Sequence, residues 1–298
     1  MRGTRPVAMI GQSGTGSQPL TILKAIAARR AEVRKALRRG ALLFATAMAA
    51  GLAAPPLSAQ IGEPAEVTAQ RARERTTFTD AEIMRGFFKV AFGAEFRVVG
   101  DSSRIRKYDV PVRVHIDGRS GPDRRDVIAA VVRDINSKIQ HLDIAVADSA
   151  EDANVTVILV RDRDLRRTIR KLYGADRARQ IQRALDPQCL SGFQKDDRFR
   201  IVRSDVILAA DTDEFTFRDC VYEELLQSLG PINDTDVPWT MFNDDVQKGF
   251  FDVYDQYLLN ILYHPRIKAG MTVEEVSALL PQVLPQVRAF VEGGQRMQ

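Results

Sequence analysis

The stretch CVYEELLQSLGPINDTDVPWTMFNDD (residues 220–245) decides how this chain is read. On a helix, Val221, Leu225 and Leu229 recur one turn apart and face a core, whereas Glu223 and Gln227 sit together on another face. Gly230 then supplies the left-handed position that ends a helix and redirects the chain. Asn233 follows Gln227 by six residues, and Met241 follows Asn233 by eight. Oxygen donors crowd the segment: Glu223, Glu224, Gln227, Asn233, Asp234, Asp236, Asn243, Asp244 and Asp245.

Upstream, Thr79 with Glu82 three residues on opens a helix in which Ile83, Phe87, Phe88 and Phe92 keep the helical period and Gly93 stops it. From Tyr108 the pattern alternates, with Val110, Val112, Val114 and Ile116 on one face of a strand that turns at Asp117-Gly118. Pro122 can start a helix whose buried stripe is Val127, Val131, Ile135 and Ile139. Residues 144–147 and 155–160 are short strand-type runs. Residues 164–173 read as a helix ended by Gly174, with a second, polar helical stretch leading to Pro187. Residues 187–192 read as a turn and residues 199–210 as the last strand. Beyond the quoted segment come a helix over residues 252–263 and another starting at Thr272, where Glu275 completes a capping box. Strands interleaved with helices, then helices alone, predict an α+β domain with a mixed sheet and a helical C-terminal half.

The start of the chain is a different kind of segment. Arg34, Lys35, Arg38 and Arg39 precede an apolar run over residues 41–54, followed by Pro55-Pro56-Leu57-Ser58-Ala59. That run is shorter than the ~20 residues a membrane helix needs. The pattern is a signal peptide, with a long lead, cleaved after Ala59. Residues 60–77 are polar and read as a linker, leaving residues 78–298 as the domain. The leader carries nine Lys/Arg and one Glu, so of 43 basic and 39 acidic residues 34 and 38 remain, a formal charge of −4. The basic pI of the whole chain thus belongs to the leader, and net charge gives no case for nucleic-acid binding. Export predicts a periplasmic or secreted protein that no longer spans a membrane after cleavage. In an oxidising compartment the two cysteines, Cys189 and Cys220, are expected to pair.

The quoted segment resembles the metzincin-type zinc peptidases, in which a helix bears H-E-x-x-H, a glycine ends it, a third ligand follows and a Met-containing turn lies beneath the metal. In that frame Glu224 matches the general base, Gly230 the turn glycine and Met241 the Met-turn residue, while Glu223, Gln227 and Asn233 stand where the histidines belong. More of the chain is similar to a bacterial exported family known as domain of unknown function 2927. That similarity rests on FFKVAFGAEF, YDVPVRVHIDG, GPDRRDV, DANVTVILV, CVYEELLQSLGPINDT, MFNDD and LLNILYHPRIKAGMT, spread over residues 87–281. It implies a zincin-like fold and an exported location; other members are often lipoproteins, yet no cysteine follows the cleavage site here.

Zinc sites want imidazole or thiolate donors. The histidines, His115, His141 and His264, show no one-turn pairing and read as surface or capping residues. A Glu, Gln and Asn set suits Ca²⁺ or Mg²⁺ better, but no calcium-loop pattern is present. The reading is therefore a degenerate zincin-like module without a cofactor, in which Glu223, Glu224, Gln227, Asn233, Asp234, Met241 and Asn243 line or brace a residual cleft. Its expected partner is an envelope protein, a peptide or a cell-wall ligand. The alternative is a hydrolase with Glu224 as general base, metal-free or served by an oxygen-ligated Ca²⁺ or Mg²⁺. Glu223 and Glu224 as an acid and base pair are disfavoured, because neighbours on a helix point about 100° apart.

Overall fold

The structure is a computed structural model and describes residues 63–92, 104–184 and 188–295, apart from 232, 234 and 244. Residues 1–59, read as a signal peptide, and Gly93, Asp234 and Asp244 lie outside the described residues. In chain order these hold α1 (Ala65–Arg71), α2 (Asp80–Phe92), β1 (Val112–Gly118), α3 (Arg125–Lys138), β2 (Ile144–Val146), β3 (Val155–Val160), α4 (Asp162–Ala184), β4 (Cys189–Lys195), β5 (Ile201–Ala209), α5 (Glu214–Ser228), α6 (Val253–Tyr263) and α7 (Val273–Gln295). The fold is α+β with a mixed sheet and a helical C-terminal half. Two compact units are present. The larger holds residues 64–168 and 188–295. The described part of the smaller, residues 63 and 169–184, is mostly the latter part of α4, which bends at Gly174 (φ 80°), where the sequence separates two helical stretches.

The sheet runs β2-β1-β3-β5-β4. Its first four strands are parallel, in register through Val112↔Ile144, Val114↔Val155 and Val155↔Ser204. β4 closes one edge antiparallel to β5, with Cys189 opposite Leu208. The reading of residues 187–192 as a turn is corrected here: Cys189 opens a strand. The period of two appears directly, since Val155, Val157, Leu159, Val206 and Leu208 enter the main core, while Ile158, Val160 and Ile207 are buried outside it. Val110 is 53% exposed and β1 begins only at Val112, because the intervening Pro111 has no N–H to give a ladder.

Local chemistry sets the helix ends. In α2, Thr79 N–H donates to Glu82 Oε2 (2.8 Å) and Glu82 N–H returns to Thr79 Oγ1 (3.3 Å). Thr272 and Glu275 repeat this reciprocal cap at α7 (2.8 and 3.2 Å). Part of the stretch expected as a linker is helical: α1 buries Val67 and sets Arg71 4.3 Å over the Phe250 ring, and beyond it Glu74 Oε1 accepts from Val253 N–H at 2.6 Å. α6 is buried almost all round, as a helix apolar on every side must be.

α5 ends inside the protein, so its last carbonyls need internal donors. Ser204 on β5 donates from Oγ to Ser228 C=O (2.9 Å), Tyr263 Oη to Leu229 C=O (2.8 Å) and Ser228 Oγ to Leu225 C=O (2.6 Å). Tyr108 Oη, which donates to Asn154 C=O (3.1 Å), also makes a 2.7 Å hydrogen bond with Ser204 Oγ. Gly230 follows with φ 137°, and a Cβ there would stand 2.2 Å from the Arg106 carbonyl oxygen. The Cys189–Cys220 disulfide, with Cα atoms 5.8 Å apart, ties the edge strand to the first half of this helix.

Two measurements test this arrangement. Gly230→Ala meets backbone that cannot yield at a φ an L side chain rarely adopts, so it should lower the unfolding free energy by about 3 kcal/mol or more in urea titration. Gly293→Ala, on α7 with open space around it, should be neutral or stabilising; equal effects would refute the close approach at Gly230. The disulfide closes a loop of 31 residues, so Cys189→Ala with Cys220→Ala should cost about 3.5 kcal/mol by the chain-entropy relation. Neither thiol should alkylate in the denatured protein before reduction, and labelling of both would contradict the bond.

Candidate functional site

α5 is the element on which the sequence frame lies. Asp213 caps its start, accepting from Thr216 N–H at 2.9 Å. Along it Phe217, Val221, Leu225 and Leu226 are fully buried, and the carboxylates Asp219 and Glu224 are, unusually, nearly so. Glu224, the position of a general base, is 6% exposed. Glu223 and Gln227, which stand at histidine positions in the metzincin resemblance, are half-buried, and Gln227 Oε1 accepts from Ser191 Oγ of β4 at 3.4 Å. Asn233 is half-buried beyond Gly230, between two undescribed residues.

The loop with Met241 is organised from below by α6. Asp255, fully buried in the first turn of α6, takes Met241 N–H on Oδ2 at 2.8 Å and the Thr240 hydroxyl on Oδ1. Asn243 braces the same turn, donating from Nδ2 to Val237 C=O (3.0 Å) and accepting Asp245 N–H on Oδ1 (2.9 Å). Met241 is itself buried at 2% exposure. Lys248 runs into the same region, paired with Asp252 and donating to Trp239 C=O, while Asp219 Oδ1 accepts Lys248 N–H (2.7 Å) and Gly249 N–H (2.9 Å). Burial drives the acids Asp255 and Glu74 above the ordinary carboxylate range and Lys248 below that of a lysine, with the Lys248 charge opposing the rise of both acids. Asn243 is thus engaged in holding backbone, whereas the buried Asn233 Nδ2 has no hydrogen-bond partner among the described residues.

Among the described residues no three His, Cys, Asp or Glu side chains gather as a metal ion would require. The acidic positions of the quoted segment are spread apart: Asp236 is exposed and pairs with Lys89, Asp245 is exposed, and Glu224 is buried on α5, as is Asp219 just before the segment.

A cavity of about 550 Å³ lies elsewhere, and no residue of the frame lines it. Lys107 and Asp109 lead into β1, His141 follows α3, Arg198 and Arg200 belong to the β4–β5 connection, and Lys268 follows α6. The buried Lys107 ammonium donates to the carbonyls of Leu262 (2.8 Å) and Ile267 (2.7 Å), capping the end of α6. Burial, and secondarily Lys268, pushes Lys107 down to about 7. His141 and His264, read as unconnected surface or capping residues, bring their rings within 5.9 Å. Both titrate below the usual histidine range, first through desolvation, which is partial at the exposed His141, and then through neighbouring charge, Lys107 among it. Sequence reasoning passed over this site because its cations sit far apart in the chain; the only local signals are the basic clusters around Arg104-Ile-Arg-Lys107 and His264-Pro-Arg-Ile-Lys268.

No curated protein and no solved structure matches the chain. A family model does, over residues 80–282, from the first residue of α2 into α7, taking in the whole sheet, α5 and the Met241 loop. Because that match spans well over half of the 298 residues, the chain belongs to the family described as Protein of unknown function (DUF2927).

Proposed function

We propose that this protein is an exported, envelope-associated binding module with a zincin-like domain that has given up zinc chemistry. The observation that carries the reading is the fate of the frame: the positions with structural duties keep residues suited to them, and those with chemical duties do not. Gly230 makes the turn under the Arg106 carbonyl and Met241 is anchored through Asp255. Glu223, Gln227 and Asn233 occupy the positions where imidazoles are needed. The last strand of the sheet, β5, leads directly into α5, as the zincin resemblance requires. The Cys189–Cys220 bond supports an oxidising compartment such as the periplasm, in agreement with the signal-like N-terminus.

Peptide hydrolysis by Glu224 alone is energetically remote. Water bound to zinc ionises near ~7, bulk water near ~15.7. The gap of about 9 pKa units is ~12 kcal/mol, and one buried carboxylate does not supply it. A partner peptide or cell-wall ligand is therefore held and not cut.

Metal analysis of the mature chain purified without added metal should find far less than one equivalent. Casein and peptide-library assays should show no cleavage, and Glu224→Gln should leave that result unchanged. Near-stoichiometric metal that disappears in Glu223→Ala with Gln227→Ala would overturn the reading in favour of an oxygen-ligated metal hydrolase. Cleavage that survives chelator and is lost in Glu224→Gln would overturn it in favour of metal-free hydrolysis.

A further inference from the structure

The cavity beside Lys107 has a charge imbalance with nothing in the described protein to answer it. Around it stand the cations Lys107, Arg113, Arg198, Arg200 and Lys268 and the anions Asp109, Asp143 and Asp196, so two positive charges are in surplus when Lys107 is protonated. Arg200 is taken by Asp196 (2.6 Å) and Asp109 (3.5 Å), and Asp143 by Arg113 (3.0 Å). Lys107, Arg198 and Lys268 make no ion pair among the described residues, and the second aspartate on Arg200 offsets one of their three charges. Burial first lowers both Lys107 and His141; Lys268 adds to the fall of Lys107 against Asp109, and Lys107 adds to that of His141, so these groups share one field.

The backbone carrying these groups is fixed in advance. Ile105 N–H donates to Met271 C=O (2.9 Å) and Gly270 N–H to Ile105 C=O (2.8 Å), which pins the Lys268 segment to the lead-in of β1. Ile201 N–H donates to Lys107 C=O (2.9 Å), which pins the Arg198–Arg200 turn to the same lead-in. Three chain segments far apart in sequence therefore present their cations to one space. That space has the volume of a small-molecule site, and Tyr108, Val110, Tyr263 and Pro265 give it an apolar wall. Lys107 has spent two of its three N–H groups on carbonyls and keeps one.

We propose that this cavity binds a small soluble phosphate monoester, with Arg198 and Lys268 neutralising its two charges, the third N–H of Lys107 reaching one of its oxygens, and its organic part against the tyrosines. A dianion with three acceptor oxygens matches both the charge surplus and the number of donors, which a monocarboxylate does not. The inference stands whether or not the α5 frame holds a metal, since no residue is shared.

The test is calorimetry of the mature chain with glycerol 3-phosphate at pH 8 and low salt, where the ligand is fully dianionic and Lys107 is mostly neutral. Saturable binding is expected, with proton uptake revealed by comparing buffers of different ionisation heat, because the bound dianion raises Lys107. Arg198→Ala and Lys268→Ala, both at exposed positions, should each weaken binding about tenfold without changing the unfolding midpoint, and Lys107→Met should abolish the proton uptake. No saturable binding, equal binding of glycerol, or unchanged affinity in the Arg198→Ala with Lys268→Ala double variant would overturn the proposal. Retention on phosphatidic-acid vesicles without binding of glycerol 3-phosphate would overturn the assignment to a soluble ligand.

Discussion

The carbonyl end of α5 is buried, and much of the larger unit is arranged around satisfying it. Each orphaned carbonyl hidden from water costs on the order of 1–3 kcal/mol, and a helix presents several. Hydroxyls from three elements meet this demand: Ser204 of β5, Tyr263 of α6 and Ser228 of the helix itself. The segment before β1 crosses the same place, with Tyr108 supporting Ser204, the Arg106 carbonyl lying over Gly230, and Lys107 capping the neighbouring end of α6. Residues 106–108 thus act as a strap across two helix ends. The sheet, α5 and α6 cannot shift independently without leaving buried polar groups unmatched.

Both the α5 segment and the cavity beside Lys107 grow from that constraint. On one side, the turn at Gly230 and the Asp255-anchored loop fix where Gln227, Asn233 and Met241 stand, for architectural reasons alone. On the other, the lysine that caps α6 brings a buried positive charge to the wall of a cavity, and the segments pinned to the strap add Arg198 and Lys268 to it. Architecture and ligand chemistry have separated: the helix with the catalytic look is occupied with packing, and the unanswered charge lies away from it.

Much of the fold was legible because its signals are local. Reciprocal Thr and Glu caps at α2 and α7, the apolar stripe of α3, the alternation in β1 and the break at Gly174 all declare themselves within a few residues. β4 did not: CLSGFQK has a glycine at its centre and only half-buried apolar residues, since an edge strand paired on one side needs little hydrophobic pattern. α1 was missed because one buried valine, and not a periodic face, holds it. At the site, Glu223, Glu224 and Gln227 could be placed on one helix from spacing alone. The Asp255 contact with Thr240 and Met241 and the convergence of Lys107, Arg198 and Lys268 depend on tertiary pairing, to which no local pattern points.

The claim that the end of α5 is the hub of the larger unit is tested most directly by native-state amide hydrogen exchange across that helix. If its carbonyl end is held by buried hydroxyls from β5 and α6, the amides of residues 224–229 open only when the whole unit unfolds, and their protection equals the global stability measured by denaturant. Exchange of those amides through a local opening more than about 2 kcal/mol below the global value, with β5 and α6 still protected, would show that α5 frays on its own and would contradict the account.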